Sequence, residues 1–76
     1  MTLCELPQNR NGRILEVNPA DQMLGERLVE MGFSPGSIVR LLQRSPWGGP
    51  LIFRVNHGTI ALRVREAQCI QVEAIE

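Results

Sequence analysis

Turn signals set the limits on this chain. PQNRNG, NP, SPGS, SPWGGP and NHG recur along 76 residues and cut the sequence into short, β-rich runs. Pro and Gly at this density rule out long helices, and short strands at even spacing are the pattern of a small barrel or sandwich. The length allows one small domain, residues 1–76. Such a domain clears the entropy of folding narrowly and often leans on a partner, a metal or self-association.

Between the breakers the pattern can be read element by element. Thr2 and Glu5 have capping-box spacing, and Leu3 and Leu6 are expected to tie this end to the core. GRILEV, from Gly12 to Val17, is the first strand. Asn18 and Pro19 read as a helix cap and first helical residue, with Asp21 in the first turn. Leu24, Leu28 and Met31 then form one apolar stripe with Met23 beside it. Gly25 marks a close approach to a neighbouring backbone. Gly32 ends the helix in a left-handed conformation, and Phe33 takes the apolar place of a Schellman cap. SPGS is a type II turn with Gly36 at the positive-φ position. Val39 and Leu41 of the next strand point one way and Arg40 and Leu42 the other, and in LIFRV Leu51, Phe53 and Val55 alternate with Ile52 and Arg54. Gly58 is expected to supply the positive φ of a tight hairpin. RVREAQ suits a single helical turn, and Ile70 and Val72 form a last short strand before a frayed end. The expected architecture is mainly β: a small five-stranded barrel with one α-helix plugging an open end.

Function classes narrow by elimination. Eight bases, all Arg, balance eight acids. Zero net charge argues against nucleic acid as a partner and removes one guard against self-association, so a homo-oligomer is a possible state. Cys4 and Cys69, near opposite ends, read as free thiols, and the N-terminal sequence does not read as a signal peptide; a cytoplasmic location is expected. His57, Cys4, Cys69 and the carboxylates are not paired at ligand spacing, so no metal site and no cofactor are expected. No phosphate loop or nucleophile pair is present, and the protein is expected not to be an enzyme.

SPWGGP places the only Trp between two prolines. Trp47 has two readings: a ring folded back over the barrel edge, or an exposed anchor for a partner. Arg44 and Arg54 flank the loop and are candidates for pairing with acidic groups of that partner. Leu28, Met31 and Phe33 are candidates for a cleft between helix and barrel; their simpler reading is core.

RLVEMGFSPGSIVRLL is similar to the helix, turn and strand of the ferrous iron transport protein A family, FeoA. SPWGGP resembles that family's Pro–apolar–Gly–Pro loop, and IALRVREAQCIQV its Leu-Arg, Glu-Ala and Ile-x-Val ending. The resemblance covers roughly residues 2 to 73. It implies an SH3-like barrel acting as a cytosolic accessory to FeoB, a membrane transporter for Fe²⁺ with a cytosolic GTPase domain, so membrane contact is only indirect. The same module forms the C-terminal domain of metal-dependent repressors, which makes a stand-alone SH3-like regulatory module the alternative.

Overall fold

A computed structural model describes residues 1–56 and 58–75. Among them, five strands form one antiparallel sheet: β1 (Asn11–Val17), β2 (Ile38–Arg44), β3 (Leu51–Val55), β4 (Gly58–Leu62) and β5 (Ile70–Ile75), in the order β4-β3-β2-β1-β5. Helix α1 (Gln22–Glu30) connects β1 to β2, and the one-turn helix α2 (Val64–Ala67) connects β4 to β5. The expected chain order of strand, helix, three-strand meander and closing strand is therefore the observed one. The ladder is open between β4 and β5: the sheet curls over its core without hydrogen bonds joining its two edges.

Two bulges bend it. Ile14 faces Val72 while Glu16 faces Gln71, so Leu15 is an extra residue in β1. Leu41 faces Phe53 while Gln43 faces Ile52, so Leu42 is the extra residue in β2. Each bulge sharpens the local twist and exchanges the inward and outward faces beyond it. Inward positions therefore run Gly12, Ile14, then Val17 in β1, and Val39, Leu41, then Arg44 in β2. That switch decides what Arg44 does, as described below.

The core takes residues from every strand and from the connections. Leu3, Leu6, Ile14, Leu28, Phe33, Val39, Leu41, Leu51, Phe53, Val55, Leu62, Ala67, Ile70 and Val72 are all buried. Phe33 and Phe53 meet edge to face at 6.1 Å and 85°, a geometry that adds about 0.5–1.5 kcal/mol to the burial of the rings. Leu3 and Leu6 hold the N-terminal 3₁₀ turn (Leu3–Glu5) as expected. There the Glu5 carboxylate accepts from the Thr2 N–H at 2.7 Å, and that bond holds its carboxyl below the usual range.

Four local expectations are corrected. The N-cap of α1 is Asp21, not Asn18: its Oδ1 accepts from the Leu24 N–H at 2.8 Å. Asn18 instead extends the β1–β5 pairing, donating its N–H to the Cys69 carbonyl at 2.8 Å. Gly25 does make a close approach, but to a side chain: a Cβ there would lie 3.0 Å from the Pro19 ring. The hairpin pairs Val55 with Gly58, so positive φ falls on Asn56 (56°) and Gly58 already belongs to β4. β5 runs on to Ile75, paired with Asn11, rather than fraying after Val72.

The end of α1 follows its sequence signal. Gly32 has φ of 101°, its N–H donates to Val29 at 3.0 Å, and the Phe33 N–H donates to Leu28 at 2.8 Å. These are the two bonds of a Schellman cap. A Cβ on Gly32 would lie 2.7 Å from Asn56 Nδ2, so the position requires glycine for space as well as for conformation.

Candidate functional site

The Trp47 loop is closed at its base. Ser45 N–H donates to the Pro50 carbonyl and Gly49 N–H to the Pro46 carbonyl, both at 3.3 Å. Within this short closure the backbone must reverse, and it does so through two left-handed residues in succession, Trp47 (φ 64°, ψ 28°) and Gly48 (φ 72°). For Gly this conformation is free; for any residue with a Cβ it costs roughly 1–2 kcal/mol. The indole gains nothing in exchange from its own chain, since Trp47 is 99% exposed.

The loop borders a polar ridge. A shallow depression of about 420 Å³ runs from Gly48, Gly49 and Pro50 to Arg63, Arg65 and Gln68. A second, of about 410 Å³, shares Arg63 and Arg65 and continues to Met23, Leu24 and Arg27 on α1. Met23 is 74% exposed at its far end. This surface therefore borders the loop of an exposed Trp and carries three arginines, Arg27, Arg63 and Arg65, and an exposed Met. Glu66 is already engaged: Oε1 accepts from the Arg63 N–H at 2.8 Å and Oε2 meets Arg27 at 3.6 Å. Arg63 and Arg65 form no ion pair with the described carboxylates.

Beneath the ridge lie both thiols. Cys4 Sγ donates to the Val64 carbonyl at 3.7 Å and Cys69 Sγ to the Glu66 carbonyl at 3.0 Å. Burial pushes the Cys69 thiol pKa up, which makes it a poor nucleophile at neutral pH. Both cysteines are free, and each helps fix α2.

The structure separates the residues singled out in the sequence. Leu28 and Phe33 are fully buried and present no surface to a partner in this conformation. Met31 is half-buried against the same core. Arg44 is turned to the core side by the bulge at Leu42, and its guanidinium donates to the Cys4 carbonyl at 2.8 Å and the Leu6 carbonyl at 3.0 Å. These bonds tie β2 to the N-terminal turn and use two of the five guanidinium N–H donors, while the residue itself stays exposed. Trp47 stands out in solvent, and Arg54 lies on the outer face of β3, away from the Trp47 ridge. His57 lies outside the described residues. Among those described, no three His, Cys, Asp or Glu side chains gather as a metal would require, and no helix is long and apolar enough to cross a membrane. Sequence reasoning missed Arg63 and Arg65. Their only signal was the alternation Arg-Val-Arg at the start of a one-turn helix, where Val64 is half-buried and both arginines are exposed.

Comparison with known proteins agrees with this architecture. The FeoA domain family matches residues 1–74. Iron(II) transport protein A from Clostridium thermocellum is 35% identical with a TM-score of 0.91; the match covers 99% of this chain and 46% of that one, so this chain spans about half its length. FeoA from Stenotrophomonas maltophilia, solved with zinc and described as a prokaryotic SH3 domain protein, is 36% identical over 96% of this chain and 89% of that one, with a TM-score of 0.83. A manganese-dependent transcriptional repressor shares the fold alone, with 23% identity and a TM-score of 0.88, covering 99% of this chain and 41% of that one. A search of curated proteins returns no match. With the FeoA domain matched over residues 1–74 and the fold shared with a FeoA described as an SH3 domain protein, the chain belongs to the FeoA family.

Proposed function

We propose that this chain is a small cytosolic accessory protein of ferrous iron uptake, acting by contact with the cytosolic domain of FeoB and performing no bond-making chemistry of its own. The observation that carries this reading is Trp47: a wholly exposed indole on a left-handed backbone, in a member of the FeoA family. Strain and apolar exposure both weigh against the free protein, and both are offset when a partner buries the ring. Trp and Arg are the residue types that dominate interface energies, and Arg63 and Arg65 lie beside the loop with Met23 beyond. The contact surface in this reading is the ridge from Trp47 to Met23. Leu28 and Phe33 serve it from beneath by holding α1 in place.

The test is association of the purified protein with the FeoB cytosolic domain, followed by binding isotherms for the wild type, Trp47→Ala and the double variant Arg63→Glu, Arg65→Glu. Loss of a hot-spot Trp weakens association by about thirtyfold or more, and reversal of both charges slows the on-rate and inverts its salt dependence. Undiminished binding by Trp47→Ala would remove the loop from the interface. Absence of any association by the wild type would remove FeoB as the partner.

A further inference from the structure

The outer face of the sheet holds an arrangement that folding alone does not account for. Arg40 on β2 and Arg54 on β3 are direct cross-strand partners. Their neighbours Val39, Leu41, Phe53 and Val55 are buried, so both arginines project from the opposite face. Directly opposed side chains in an antiparallel pair start about 4.5–5.5 Å apart at Cβ, and like charges there are destabilising. The same face shows the usual remedy one row away, where Arg13 opposes Glu73 and pairs with it at 3.4 Å. Among the described residues Arg40 and Arg54 have no carboxylate within ion-pair distance. Among the described residues the Arg40 guanidinium donates only to Asn11 Oδ1, at 3.5 Å, and the Asn11 amide N–H₂ has no acceptor there.

These groups surround a depression of about 740 Å³ lined by Asn11, Ser37, Ile38, Arg40, Arg54 and Asn56. Its polar wall supplies two guanidinium groups and neutral amide donors. Its other wall is apolar, with Ile38 at 43% exposure. Two fixed positive charges match a dianion better than a single carboxylate, and a phosphate monoester carries about −1.5 to −2 at neutral pH with three acceptor oxygens. Planar guanidinium forks suit those oxygens.

We propose that the Arg40–Arg54 pair is a binding site for a phosphate group: either free phosphate, or a small phosphate monoester whose organic body lies on Ile38. The site is on a different surface from Trp47 and does not depend on how that loop is used.

The test is a titration of the full chain with inorganic phosphate, phosphoserine and a nucleoside 5′-monophosphate at constant ionic strength, followed by backbone amide shifts and by the melting temperature. Chloride and acetate serve as controls. The expected result is saturable shifts at Asn11, Arg40 and Arg54 with phosphate-bearing probes, a rise in melting temperature, and weakening of about tenfold in Arg40→Gln and in Arg54→Gln. Because the repulsion is internal, each variant also melts at a higher temperature than wild type in phosphate-free buffer. Equal affinity for all three probes assigns the site to the free ion; tighter binding of an ester assigns it to that class of ligand. Equal response to acetate, binding retained by both variants, or lower stability of both variants without phosphate would overturn the proposal.

Discussion

At the scale of single residues, Trp47 is the position where local preference and the observed conformation disagree. An indole at φ 64° with no contact to the core contributes neither burial nor comfort. Trp47→Ala is therefore expected to leave stability within about 0.5 kcal/mol of wild type. Trp47→Gly, which removes the left-handed penalty, is expected to raise stability by about 1 kcal/mol, or several degrees in a melt followed by circular dichroism. A clear loss of stability in either variant would mean that the ring packs on its own chain. Cys69 makes a prediction about pH. Burial raises its thiol pKa in the folded state. Its contribution to stability is therefore full below the unfolded thiol pKa and is lost as pH rises through the folded value. Alkylation of Cys69 in the folded protein should begin at higher pH than in the denatured chain, as peptide mass mapping would show; coincident profiles would contradict the burial.

At the scale of elements, the entry to α1 shows how capping signals compete. Asn18-Pro19 is a good helix start, yet Asn18 is held by the Cys69 carbonyl and Asp21 takes the cap. Asp21→Ala is expected to cost about 1 kcal/mol, while Asn18→Ala, whose backbone bond survives the substitution, is expected to cost less than half of that. Urea melts of the two variants separate the assignments, and the reverse ranking would restore Asn18 as the cap. The exit from α1 had no competitor. The positive φ of Gly32, with Phe33 after it, was readable in advance, whereas the closeness of Asn56 and Val55 that also requires glycine there was not.

At the scale of the whole molecule, the helix is joined to the sheet chiefly through Leu28 and the Phe33 that follows it. Leu28→Ala is expected to destabilise by about 2–5 kcal/mol, a large share of what a domain of this size has. The measurement is denaturant unfolding, and a loss below about 1 kcal/mol would return Leu28 to the surface. Any loss of partner binding in that variant must therefore be judged against Trp47→Ala, which changes the surface and leaves the core alone. The two bulges act at this scale too. They bend the five short strands into one curled sheet, and the register shift at Leu42 lets the exposed Arg44 also brace β2 against the N-terminal turn.

The order of elements, the inward residues of the regular strand segments, the Schellman cap and the SPGS turn were all fixed by the chain itself, because each depends on residues a few positions apart. Period-two alternation and a glycine's freedom at positive φ are local physics. The placement of the candidate site was not local. Which residues slip at Leu15 and Leu42, which of two caps wins, and that Arg40 faces Arg54 across a ladder while Arg63 and Arg65 meet the Trp47 loop all depend on pairing between distant strands. A one-residue change of register reverses every face beyond it, and no periodicity within a strand reports the register of its neighbour. Tertiary structure therefore decided which arginines hydrogen-bond across the fold, as Arg44 does, and which face one another or the Trp47 loop.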